Sequence, residues 1–255
     1  MTGSFGHGDT IAIALADGVG VALVSDAGVT SEFDETTMVA ALREIEQTIS
    51  PRWVWWTADT ARALVAVGLR PARCWDLEAV HRLLVGGWRG GIGRIWAHRR
   101  GLDGAGIPQV AAPDLFSQPG NDHEALRPDG YLGPAWIDGL WKADLDHLRT
   151  WASLALDVHR WQVDELEQLP DRPAAPSTAR SESAAALLCA ELEADGLPID
   201  IAVAERIISS FIGPRPVDAA DEARLFWQSD RRFQRGYFPR IAHLRIPRRT
   251  LQSKS

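Results

Sequence analysis

The sequence predicts an α/β protein with a mixed sheet flanked by helices. Two β-rich runs meet at Asp17-Gly18, short apolar runs then alternate with segments of helical spacing, and glycines or prolines close most of those segments. With 255 residues, 45% hydrophobic and 24% charged, the chain carries enough apolar material for a packed core and one to two domains.

The elements follow in order. Thr10 to Ala16 and Val19 to Ser25 flank Asp17-Gly18, a pair suited to a two-residue type I′ turn, so the chain should open with a hairpin. From Asp34 to Ile49, the residues Met38, Leu42, Ile45 and Ile49 recur at helical spacing behind an acidic start, with Pro51 just beyond the end. Trp53 to Trp56 is a short apolar run between Pro51 and Thr57. Ala58 to Val67 reads as a helix closed by Gly68, and Ala72 to Trp75 as strand-like. Leu77, Val80 and Leu84 set a helix over Leu77 to Val85, and this alternation calls for some parallel strands.

Gly101 to Pro134 turns to Gly, Pro, Asp and Asn and reads as a long loop or insertion. Trp136 to Leu169 holds one or two long helices, and Pro170 to Ser181, with three prolines, reads as a linker. Ser183 to Ala194 is a helix stopped by Gly196, Leu197 to Ile199 is extended, and Asp200 caps a helix running to Phe211.

A formal net charge of −7 argues against a chain coated in basic residues for nucleic acid, although a local basic patch is compatible with it. Lys142 and Lys254 are the only lysines, so positive charge is almost all Arg. Cys74 and Cys189 lie far apart with no metal-ligand spacing and read as small apolar groups. Nothing approaches a membrane span of about 18 apolar residues, and the expected location is the cytoplasm.

Three segments carry a family resemblance. PRWVWWTADTARALVAVGLRPARCWDLEAVHRLL, from Pro51 to Leu84, and ESAAALLCAELEADGLPIDIAVAERIISSFIGPRP, from Glu182 to Pro216, resemble the front of actinobacterial bifunctional 3′-5′ exonuclease and family A DNA polymerases; Asp144 to Trp151 joins them. The resemblance implies a ribonuclease H-like, 3′-5′ exonuclease-like domain over 1–169, the linker over 170–181, and the start of a polymerase thumb-like helical region over 182–216. Residues 217–255 form an Arg-rich tail outside it, and the chain is expected to stop before the polymerase motifs.

Active relatives hydrolyse DNA with a pair of Mg²⁺ ions, which need several converging carboxylate oxygens. The family pattern has an Asp-x-Glu pair on the first strand, a second Asp on a helix, and a Tyr or His a turn before a final Asp. Asp17 is the candidate for the leading carboxylate, but Val19 stands in the Glu place. Asp76 matches a family Asp that is not expected to be a metal ligand, and it suits a helix cap. Asp144 takes the final Asp place, with Leu140 where the phenol belongs. The expectation is a degenerate exonuclease-like module holding no metal of its own, with an active metal-dependent exonuclease as the alternative.

Two binding surfaces complete the reading. Arg89, Arg94, Arg99 and Arg100 beside Trp96 suit single-stranded DNA, where Arg meets phosphate and an aromatic ring stacks on a base. Leu115 and Phe116, in Asp114-Leu115-Phe116, resemble the end of peptides that dock on the sliding clamp. This supports a second alternative, a non-enzymatic interaction domain for that clamp or another replication partner.

Overall fold

A computed structural model describes residues 4–86, 90–108, 124–170, 172–196 and 200–212. Its centre is a five-stranded sheet of order β3-β2-β1-β4-β5, formed by β1 (Thr10–Ala16), β2 (Gly20–Ser25), β3 (Thr30–Asp34), β4 (Arg52–Trp55) and β5 (Cys74–Asp76). β2 pairs antiparallel with β1 and β3, while β4 pairs parallel with β1 and β5. The sheet is therefore mixed, as the alternation of elements requires.

The opening hairpin differs from a two-residue turn. Ala16 pairs with Gly20, so Asp17, Gly18 and Val19 form a three-residue loop, closed by the Val19 N–H donating to the Ala16 carbonyl at 3.2 Å. Gly18 has φ +74° and Asp17 has no positive φ, whereas a type I′ turn requires positive φ at both central residues. Gly20 is needed for a separate reason: at φ +132°, a side chain there would collide with the Phe33 carbonyl of β3.

β1 reads TIAIALA, and its two sets of alternating residues build two different cores. Ile11, Ile13 and Leu15 join Val21, Leu23, Trp53 and Trp55 on one face, against Met38 and Leu42 of α1 (Met38–Ile49) and Ala61, Leu64 and Val65 of α2 (Ala58–Ala66). Ala12, Ala14 and Ala16 lie on the other face with Ala22, Val54 and Trp56. Small side chains there let large ones approach, because interiors fill to crystal-like density.

The second face is covered by α3 (Leu77–Val85), α4 (Ile92–Arg99), α5 (Pro134–Asp138) and the 23-residue α6 (Leu145–Glu167). Trp151 of α6 sits 5.0 Å from Trp56, 5.6 Å from Trp141 and 6.2 Å from Trp136 between ring centroids. The Trp56 indole N–H donates to the Trp151 carbonyl at 3.2 Å. Gln162 bridges elements the same way, accepting from the Trp75 indole at 2.8 Å and donating to the Leu77 carbonyl at 2.8 Å. Buried indole N–H groups that find such partners avoid the desolvation penalty of an unpaired donor.

The segment read as a linker is in part helical: α7 spans Ala175–Asp195, so residues 175–181 are its first two turns. Pro176 lies in the first turn, where its missing N–H is no loss. The unit that contains the sheet runs through Gly196, which places α7 with the sheet rather than with a following region. Ala179, Ser183, Leu187 and Ala190 are buried, and Arg62–Glu193 (2.7 Å) and Arg70–Asp195 (2.7 Å) tie the helix to α2 and the turn after it. α7 stands over β5, the edge strand. The Asp76 N–H donates to the Ser183 hydroxyl at 3.0 Å, and that hydroxyl donates to the Ala179 carbonyl at 2.9 Å.

Residues 200–212 belong to a second unit. There α8 (Ile201–Ile212) is capped by Asp200, which accepts from the Val203 N–H at 3.0 Å, and Ile201, Ile207 and Ile208 are exposed. The expected extended run Leu197 to Ile199, the basic tail 217–255 and much of the loop before Pro134 lie outside the described residues.

Candidate functional site

In an open α/β sheet, ligand crevices form beyond the carboxyl ends of parallel strands, where connections leave in different directions. Here those ends carry Asp17 after β1, Thr57 after β4 and Asp76 closing β5. Two cavities open along this edge. One, of about 350 Å³, is lined by Asp17, Trp56, Thr57, Asp59, Asp138, Trp141, Lys142 and Trp151 among others. The second, of about 460 Å³, is lined by Asp76, Glu78, Arg62 and Arg82 and shares Thr57, Asp59, Ile92 and Ile137 with the first.

Asp76 is 2% exposed, and both its carboxylate oxygens are in use. Oδ1 accepts from the Ala79 N–H at 2.9 Å, capping α3, and Oδ2 accepts from the Trp55 indole at 3.0 Å. Burial pushes its pKa up to about 6. Asp76→Asn must turn an NH₂ group toward one of these two donors. The unpaired donor costs about 1–3 kcal/mol, but the variant also removes a buried charge whose penalty at pH 7 is of similar size. Urea unfolding at pH 7 is therefore expected to place it within about 2 kcal/mol of the parent, and a larger loss would show that burial does not penalise the ionised carboxylate.

Asp144 caps α6. Its Oδ1 accepts from the His147 N–H at 2.8 Å and meets the His147 Nδ1 at 2.7 Å. These bonds, the backbone one foremost, hold its carboxyl below the ordinary value. Asp144 lines neither cavity. The structure thus places Asp17 in a loop and Asp76 and Asp144 at helix caps, and does not gather the three.

A pair of divalent ions does not fit these residues. Val19 and Leu140, which the resemblance would set in the places of Glu and Tyr, carry no oxygen in their side chains and pack partly buried against the core. Each oxygen of buried Asp76 already accepts a hydrogen bond. Among the described residues, no three of His, Cys, Asp and Glu stand together as a metal-binding group.

The basic patch is also altered. Trp96 is 2% exposed and its indole donates to the Gly130 carbonyl at 2.9 Å, so its ring is a core element and not a stacking platform. Arg99 pairs with Asp157 at 3.1 Å, and the Arg100 guanidinium lies 5.8 Å from the Trp96 ring centre. Arg94 lines a third cavity, of about 600 Å³, with Gly91, Gly104 and Pro134. Arg89, Leu115 and Phe116 lie outside the described residues.

Sequence reasoning missed Ser183, Trp55 and Trp141. Only Ser183 had a local signal, a hydroxyl inside an Ala-rich helical run. No helix among the described residues is long and apolar enough to cross a membrane. Fold and cleft together define an α/β protein with a five-stranded mixed sheet flanked by helices and a crevice at its carboxyl edge. Comparison with known proteins found no match to this chain among protein-family models, curated proteins or solved structures.

Proposed function

We propose that residues 4–196 form a ribonuclease H-like, exonuclease-like module of a DNA polymerase-related protein, in which Asp144, matching the family's final Asp, caps a helix instead of holding metal. The observation that carries this reading is the engagement of Asp144, whose Oδ1 caps α6 through the His147 N–H at 2.8 Å and meets the His147 ring at 2.7 Å. The sheet supports it as well: a three-strand meander joins through β1 to two parallel crossover strands, the arrangement expected of a ribonuclease H-like fold.

The test is incubation of the purified protein with end-labelled single-stranded DNA and Mg²⁺ or Mn²⁺. No shortening above the metal-free control is expected. Metal-dependent shortening that disappears in Asp144→Ala would establish the active exonuclease instead.

A second reading, weak single-strand binding along α4, is favoured by Arg94 at the third cavity and the exposed Arg100. Each phosphate contact on a single strand contributes about 0.7 to the slope of log affinity against log salt, so Arg94→Ala/Arg100→Ala is expected to lower that slope by about 1.4. A gel shift at low salt unchanged by the double substitution would exclude α4 as the contact surface.

A further inference from the structure

The cavity beyond β1 and β4 has a composition that phosphate chemistry does not explain. Trp141 lies on Trp151 at 5.6 Å with 7° between the planes, and Trp56 completes the aromatic lining. Asp17, Asp59 and Asp138 line the same space. Asp59 is paired with Arg62 at 2.9 Å, whereas Asp17 and Asp138 have no hydrogen-bond or ion-pair partner among the described residues. Carboxylates repel a nucleotide phosphate and attract a cation, and the negative face of an indole attracts a cation too.

A cation already stands there. Among the described residues, Lys142 is the one cationic side chain lining the cavity, and its Nζ lies 5.1 Å from the centre of the Trp141 ring. Lysine has a flexible stem and is exposed at this position, so it can move aside. A volume of about 350 Å³ lies within the range of small-ligand pockets.

We propose that this cavity binds a small alkylammonium cation on Trp141 between Asp17 and Asp138, with Lys142 as the internal occupant that the ligand displaces. The inference stands on the cavity alone and does not rest on the polymerase kinship, so the DNA hydrolysis assay and the assay below fail independently.

The experiment titrates the full chain with putrescine, following tryptophan fluorescence and heat at low ionic strength. Nα-acetyl-lysine methylamide serves as a second arm, to separate a free amine from a side-chain amine, and thymidine monophosphate as the anionic control. A saturable change with at least one amine and none with the nucleotide is expected. Asp17→Asn/Asp138→Asn should weaken binding by about tenfold, as two facing carboxylates are lost. Lys142→Ala should tighten it by about threefold, because it removes a competing cation–π contact. All three side chains are exposed, so the variants should melt with the parent. No saturable change at about 10 mM amine, equal binding of the nucleotide, or weaker binding in Lys142→Ala would each overturn the proposal.

Discussion

Trp151→Ala is expected to lower the unfolding free energy by about 3–5 kcal/mol, the range for emptying a large aromatic site in a core that cannot collapse around it. Trp151 is 2% exposed and meets three other indoles. The opposing face of the sheet is lined with alanines, which have no side chain to fill the space left behind. Urea unfolding followed by far-UV circular dichroism measures the effect without depending on the tryptophan signal. A loss below about 1 kcal/mol would mean that the aromatic cluster is loosely packed and that the account of β1's alanines is wrong.

The second large effect is acid sensitivity. His81 is 1% exposed with no hydrogen-bond partner on either ring nitrogen, and His159 is 6% exposed with Nδ1 unpaired. Burial, ahead of any neighbouring charge, lowers both pKa values to about 4. An unfolded chain therefore takes up protons near the ordinary histidine value of about 6.5, while the folded protein resists until about 4. Their contribution is fully present above that unfolded value and is lost as pH falls through the window. Asp76 runs the other way: with a folded pKa near 6 against an ordinary 3.8, its burial penalty is relieved over much of the same range.

At ~1.4 kcal/mol per pKa unit, each group is worth on the order of 3 kcal/mol, and two histidines against one carboxylate leave a net loss of about that size between pH 6.5 and 4. Urea midpoints taken across this range should fall in the parent protein. They should fall much less in His81→Phe/His159→Phe, which carries no buried imidazole. Parallel pH curves for the two proteins would show that other groups set the acid limb.

How much of this was legible in the sequence depends on the element. α3 was readable to the residue because Leu77, Val80 and Leu84 repeat at helical spacing behind a capping Asp76. β3 was not, because Phe33 is the sole apolar residue in an otherwise polar edge strand, and its pairing comes from β2. The start of α7 was hidden by composition: Pro173 and Pro176 suggest a linker, and the burial of Ala179 and Ser183 follows from small side chains fitting close to β5, which no periodicity reveals. The separate fates of Asp17, Asp76 and Asp144 were half legible, since the first stood at a turn, the second at a cap and the third near the start of a helix. Their failure to share one cavity is a property of three-dimensional distance.

The placement of α7 over β5 bears on how the chain is made. A ribosome releases residues in order, and the sheet can assemble from residues 10 to 76 long before residue 183 exists. Until then the outer backbone of β5 is bare, a template on which strands of neighbouring nascent chains can add. Ser183 arrives as a late seal, and a chain that ends before it leaves the Asp76 N–H of β5 without its hydroxyl partner.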